Sequence, residues 1–277
     1  MRRILNLIWT AAVLHGCLLA QDKPIPNQEA LRQRAIATAD RTAEQRDRYE
    51  CRERQVQNDL DSKGRVKKTN TTEQEFFFLH GRPIMREVSR DGKPLSDSDK
   101  KKQDDRIRKE IEDAEKAFKK EKRGDGGPLT SRNFLKLARL GNERRVLVGG
   151  RPTIVFDVID NPDNKGGDIP QRIIAAMRGT LSVDEETGHV QDLNVTGVRD
   201  VKIAGGLVAN IHKGFQLHTI AAPQNDGVWL LKTIYGSGDA RMGLFFHPAA
   251  NFKADVEGCK LYNVDADAVV KQVEGKQ

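Results

Sequence analysis

Apolar residues along the chain change their spacing several times, and each change marks a different kind of element. From Asn27 to Tyr49 (NQEALRQRAIATADRTAEQRDRY) there is no Gly or Pro, and Leu31, Ala35, Ala39 and Ala43 recur at helical spacing with Ile36 beside them. Asn27 is placed to cap this helix. So thin a stripe predicts a helix lying on something, not one sunk in a core. From Glu50 to Asp91 the spacing becomes that of extended chain. Three runs are separated by Lys63-Gly64, His80-Gly81 and Asp91-Gly92, the pattern of an antiparallel meander.

One stretch of the meander does not alternate. Phe76, Phe77, Phe78 and Leu79 are all apolar, in a chain whose aromatic content is only 5%. Period-2 geometry sends Phe76 and Phe78 to one face and Phe77 and Leu79 to the other, so both faces need cover. One pair is expected to face a concave surface or its helical cover. The N-terminal helix is the element expected over the outer pair. The next run, Pro83–Arg90, reads as mostly wet.

The clearest helix spans Ser96 to Arg123, with Ser96 or Ser98 as cap, aspartates in its first turn and basic residues in its last. Ile107, Ile111 and Phe118, with Ala114, draw one narrow stripe on a highly charged rod. That stripe is a lid over a pocket, an arm for a partner, or simply the seam of a surface helix. Gly124–Pro128 (GDGGP) is a linker. A second, more buried helix is expected from Ser131 to about Leu140, carrying Phe134, Leu135, Leu137 and Leu140. From Arg144 to about Tyr262 the runs are again strand-like, interrupted by a short helix at Ile169–Met177, and Asp265–Gln277 ends the chain in a helical turn.

The first twenty residues stand apart. Arg2-Arg3, the apolar run Ile4–Val13 and the small-residue site before Gln21 predict a secretory signal peptide over 1–20, the run being too short for a membrane span. Leu14-His15-Gly16-Cys17 also resembles a lipobox, which gives a second reading, a membrane-anchored lipoprotein with lipid on Cys17. Without residues 1–20 the net charge falls from +7 to +5, since Arg2 and Arg3 are lost and no acid is. The remaining charges mix in sign instead of forming a basic stripe, so nucleic acid is not an expected partner. Two cysteines remain, Cys51 and Cys259. In an oxidising compartment a disulfide between them is as much to be expected as two free thiols. Pairing would tie the first strand to the last.

Catalytic signatures are missing. There is no GxSxG elbow, no HExxH, no GxxxxGK[ST] loop and no GxGxxG after a strand, and Gly236-Ser237-Gly238 lies in a turn. His80, His189 and His212 fall at turn signals, where exposed polar side chains are ordinary. The acidic loop Asp160–Asp168 has Pro162 and Lys165 where a calcium loop wants oxygen ligands. Asp184-Glu185-Glu186 sits in a hairpin turn. The expectation is no enzyme, no metal and no cofactor.

Three phrases carry a resemblance: RDGKPLS (Arg90–Ser96) leading into a charged helix, GTLSVDEETGHVQDL (Gly179–Leu193) and NDGVWLLKTIYG (Asn225–Gly236). They are similar to segments of bacterial outer-membrane lipoprotein-sorting proteins, the periplasmic lipoprotein-carrier family, over roughly residues 50–265. The resemblance implies an α+β fold: a curved antiparallel sheet, an unclosed β-barrel, with helices covering one face. It makes residues 21–277 one such domain with a helical insertion at about 96–141. It also implies a hydrophobic cavity for acyl chains of a lipid or lipoprotein. The inward-facing candidates for such a cavity are Phe76, Phe78, Phe134, Phe156, Trp229, Leu231, Leu244 and Phe246. The function expected on this reading is a non-enzymatic periplasmic carrier. The alternative is an envelope scaffold with a filled core, which binds a partner protein through Ile107, Ile111 and Phe118.

Overall fold

The structure, a computed structural model, describes residues 23–61, 63–120, 129–163, 166–203, 209–238, 240–242 and 250–261. Asn27 caps helix α1 (Gln28–Arg46), its side chain accepting from the Ala30 amide at 3.0 Å. Strands β1 (Tyr49–Leu60), β2 (Val66–Leu79), β3 (Arg82–Arg90) and β4 (Lys93–Pro94) follow as a meander. His80 and Gly81 join β2 to β3, Asp91 and Gly92 join β3 to β4, and all four have positive φ (51°, 78°, 50° and 72°). That is the backbone a two-residue hairpin needs to match strand twist, and Gly supplies it without strain.

Ser96 caps α2 (Asp97–Phe118), Thr130 caps α3 (Ser131–Leu137) and Asp168 caps α4 (Ile169–Ile174), each by accepting from an amide three residues on. Strands β5 (Arg139–Val148) and β6 (Arg151–Ile159) lie between α3 and α4. Strands β7 (Met177–Asp184), β8 (Val190–Gly197), β9 (Val201–Ile203), β10 (Ala209–Ile211), β11 (Gln216–Pro223), β12 (Trp229–Gly238), β13 (Ala240–Met242) and β14 (Ala250–Leu261) complete the order. All four helices end sooner than their spacing predicts, α1 at Arg46 because Tyr49 opens β1, and α2 at Phe118, short of Arg123, with Lys119 as its C-cap. Leu140 belongs to β5, opposite Val158, and Met177 to β7, opposite Gly197, because cross-strand pairing takes these residues from the helices.

Among the described residues eleven strands form one antiparallel sheet in the order β4-β3-β2-β1-β14-β12-β11-β8-β7-β6-β5, and β9, β10 and β13 form a second, small one. The fold is thus α+β, with a curved sheet whose ends, β4 and β5, do not pair among the described residues. The last strand lies between the two meanders and joins them. It is also bonded covalently to the first, through a Cys51–Cys259 disulfide with Cα atoms 4.1 Å apart.

Register fixes which residues share a face. One cross-strand row runs Phe156, Leu181, Leu193, Thr219, Ile234, Ala254, Gln55, Thr72, Arg90 from β6 to β3. Helices α1, α3 and α4 lie on this concave face. Leu31 and Ala35 of α1 and Phe134 and Leu135 of α3 share one buried core with Ile154, Phe156, Leu181 and Leu193. Phe76 packs on the same face, against Tyr49, Cys51, Leu230 and Val256.

The opposite face has a different cover from the one the sequence suggested. Phe77 and Leu79 pack with Ile84 under Ile107 and Ile111, so α2, not α1, shields the outer pair. The reason is local. Asp91-Gly92 and β4 turn the chain back beside β3, and α2 folds directly onto the strand it has just left. Ile84, in a run that reads as mostly wet, is buried for the same reason.

Candidate functional site

The concave face changes character along its own rows. On β6, β7 and β8 it is apolar, while on β1 and β2 it presents Gln55, Gln57, Asp59, Lys68, Asn70 and Thr72, which line an open hollow of about 520 Å³. Within that half, Gln57 and Asn70 both donate to Asp59, at 3.0 and 3.4 Å. Between the two halves sits Glu53, only 6% exposed, paired with Val256 on one side and Gln74 on the other. Its carboxylate accepts from Gln74 Nε2 at 2.5 Å. Burial pushes its pKa up, against the pull of that bond.

Helix α1 spans the strand ends of the apolar half. Gln28 Nε2 donates to the Leu140 carbonyl (3.0 Å) and Arg32 to those of Leu135 and Lys136 (2.6 and 2.7 Å). Farther along, Arg34 donates to the Glu185 carbonyl and Thr38 Oγ1 to that of Thr187 (3.2 Å). At the far end the Gly81 amide donates to Asp47, and Arg46 stacks 3.8 Å over the Phe78 ring. The buried residues of α1 are Leu31, Ala35 and Thr38. This helix is held mainly by polar contacts over a bed of large apolar side chains.

Beneath the second half of α1 is a separate cleft of about 190 Å³ between the helix and the β7–β8 and β11–β12 turns, lined by Thr38, Arg41, Thr42, His189, Asp226 and Val228 among others. Asp184 shapes the β7–β8 wall. It is fully buried, and its Oδ1 accepts from the Glu186 and Thr187 amides and the Thr187 hydroxyl. Its Oδ2 accepts from Arg151 Nε at 2.6 Å. Burial disfavours the charge, but these donors outweigh it and hold the carboxyl below its ordinary range. His189 stacks on Trp229 with ring centroids 5.1 Å apart. Burial, with Arg41 and Arg151 nearby, lowers its pKa and keeps the imidazole neutral. Across the cleft, Asp226 accepts from the Tyr49 hydroxyl and the Val228 amide. Those bonds depress the Asp226 pKa, whereas burial and Asp226 push that of Tyr49 up to about 12.

The residues expected to line a cavity are dispersed. Phe134 and Phe156 are fully buried in the core, and Trp229 is buried beside His189. Phe76 and Phe78 are half-buried on the concave face, edge to face at 5.8 Å, with Arg46 above Phe78. Leu231 is 41% exposed and does not point inward: its neighbour Leu230 joins the buried cluster, so alternation sends Leu231 to the outer face. Leu244 and Phe246 lie outside the described residues, as do Cys17, the segment 1–20 and the tail from Asp265. The stripe on α2 is not free for a partner and is no lid of the concave face, since Ile107 and Ile111 are buried on the other side of the sheet. Phe118 is 47% exposed but stacks on His80 at 3.8 Å, while His80 Nε2 lies 3.1 Å from Glu115 Oε1.

The cleft residues were not legible. His189, at a turn signal, is half-buried instead of exposed, and Thr42 belongs to no motif. Their proximity comes from α1 crossing the strand ends, which no local pattern encodes. Among the described residues no three of His, Cys, Asp or Glu are grouped to hold a metal ion, and no helix is long and apolar enough to cross a membrane.

No family model and no curated protein matches the chain. Among solved structures it is similar to an outer membrane lipoprotein-sorting protein domain from Vibrio parahaemolyticus, with 8% identity, a TM-score of 0.33, and coverage of 87% of this chain and 98% of that one. It is similar to a DUF1329 family protein from Desulfovibrio piger, at 9% identity and TM-score 0.38, over 90% of this chain and 98% of the other. A LolA superfamily protein from Nitrosomonas europaea is 10% identical with a TM-score of 0.32, over 85% and 95% of the two chains. Of these three structures, one is thus named for lipoprotein sorting and one for the LolA superfamily.

Proposed function

We propose that the protein is a non-enzymatic carrier exported to the periplasm, which holds an acyl chain of a lipid or lipoprotein on the concave face beneath α1. One observation carries the reading. An apolar bed is covered by a helix whose apolar attachment is narrow, Leu31 and Ala35 buried and Ile36 partly buried beside them, while its other contacts are polar. Exposing that seam costs about 4–5 kcal/mol, while each methylene of a bound chain returns about 0.8 kcal/mol, so some six buried methylenes offset lifting the helix. The polar groups of α1 are satisfied by water once it lifts, which keeps the opening cheap.

Native mass spectrometry after incubation with a bacterial lipid extract tests this. Lipid adducts are expected on the wild type. A Thr38→Cys, Thr187→Cys pair, oxidised to fix α1 on the β7–β8 turn, is expected to load at least tenfold less until reduced, with reduced wild type as control. A wild type that never carries lipid, or a fixed helix that loads as well as a free one, sinks the proposal.

A further inference from the structure

The cleft under the second half of α1 contains two polar atoms in need of a partner. Thr42 Oγ1 and His189 Nδ1 are both buried and, among the described residues, make no hydrogen bond, and both residues line the cleft. Buried polar atoms are ordinarily satisfied, so orphans converging on one hollow mark the place of something that satisfies them. At about 190 Å³ the space equals that of roughly six waters at ~30 Å³ each.

The walls say what kind of group fits. On the helix side are the Arg41 guanidinium and the Thr42 hydroxyl. Arg41 gives one bond to Thr38 Oγ1 at 2.9 Å, a small part of its five-donor fork. On the opposite side, from the β11–β12 turn, is Asp226. It stays ionised through its bonds from Tyr49 and Val228, with Arg48 acting on it from outside the lining. A carboxylate has about four lone-pair sites, so two donors do not exhaust it. His189 lies on the β7–β8 side as a neutral imidazole, able to give or accept one bond at Nδ1 according to tautomer. A purely anionic ligand would face Asp226, and a purely cationic one would face Arg41. A group with an anion at one end and an ammonium at the other meets both walls. Val228 is shared with the apolar cluster of Tyr49, Cys51, Leu230 and Val256, so a ligand anchored here places any apolar remainder on the concave face.

We propose that this cleft is a headgroup site for a zwitterionic ammonium–phosphate compound, with the phosphate at Arg41 and Thr42, the ammonium at Asp226, and His189 bridging. The assignment rests on the carrier reading for the source of the group, a phospholipid, but the same chemistry is present in the free, chain-less headgroup compound. That gives the test its two arms.

In the first arm, the whole chain labelled with 15N-histidine is titrated with sn-glycero-3-phosphoethanolamine, with sn-glycero-3-phosphate and with ethanolamine, reading the His189 imidazole by NMR. The zwitterion is expected to shift that signal at a concentration at least tenfold below either half. Asp226→Asn is expected to abolish the preference over glycerophosphate. Thr42→Val, which removes the hydroxyl at nearly constant shape, is expected to weaken the zwitterion five- to tenfold. Equal response to all three compounds, no saturable shift, or unchanged binding in both variants overturns the site. In the second arm, native mass spectrometry compares phosphatidylethanolamine with phosphatidylglycerol, and a preference for the former that Asp226→Asn erases is expected. Both lipids loading without preference overturns the headgroup site while leaving the carrier reading standing. Headgroup binding in the first arm with no diacyl lipid in the second does the reverse.

Discussion

Glu53 is buried on a face that is apolar to one side of it and polar to the other, and among the described residues its carboxylate accepts one hydrogen bond, from a neutral amide. A carboxyl raised in this way binds a proton in the folded state at a pH where the unfolded chain has already released it. Its favourable contribution is therefore complete below the ordinary glutamate pKa and is lost as pH rises through the raised folded value. Glu53→Gln keeps the partner Gln74 and removes the charge. It is expected to raise the denaturant midpoint at pH 7 and leave it unchanged near pH 3.5. Equal effects at both pH values would show that the side chain acts through packing alone. Nothing in the alternation of β1 singles out Glu53, because its burial depends on Val256 and Gln74, which belong to other strands.

At the scale of elements, local signals were read well and their destinations poorly. The caps at Asn27 and Ser96 and the turns at His80-Gly81 and Asp91-Gly92 are properties of a few adjacent residues, and they appear where the sequence puts them. The double-sided Phe76–Leu79 run required cover on both faces and has it. Which helix covers which face is not set by those signals, because a thin stripe on α1 and a narrow one on α2 are equally able to lie on a sheet, and it is α2 that covers Phe77 and Leu79. Helix α2 rests on a small cluster of its own, Ile84, Ile107 and Ile111 with Phe77 and Leu79. Ile111→Ala is expected to cost about 2–4 kcal/mol of local stability. Hydrogen exchange should accelerate in α2 and β3 and remain slow in β7 and β8, whose core does not touch the cluster. Uniform acceleration across the sheet would contradict that independence.

For the whole molecule, β14 is decisive. It lies between β1 and β12, so the N-terminal meander reaches the rest of the sheet through the last of the described strands. The disulfide fastens this joint across a sequence separation of 208, for which the chain-entropy model gives roughly 5 kcal/mol. Cys51→Ser with Cys259→Ser is expected to lower unfolding free energy by up to that amount in chemical denaturation. The first segments to gain exchange should be β1 to β4. A variant as stable as the wild type would mean that strand pairing alone secures the joint.

The sequence by itself determined the elements, their caps and turns, the two meanders, and a resemblance whose implied α+β fold is the observed one. These follow from spacing, propensity and backbone sterics, which act over a few residues. Only the tertiary structure decided that β14 enters between the meanders, that Leu231 turns outward and Phe134 and Phe156 into the buried core, and that Thr42, His189 and Asp226 meet in one cleft. Those outcomes depend on pairings between residues far apart in the chain. Each such residue reads locally as an ordinary turn, helix or strand position, and takes its role from partners that the folded chain brings to it.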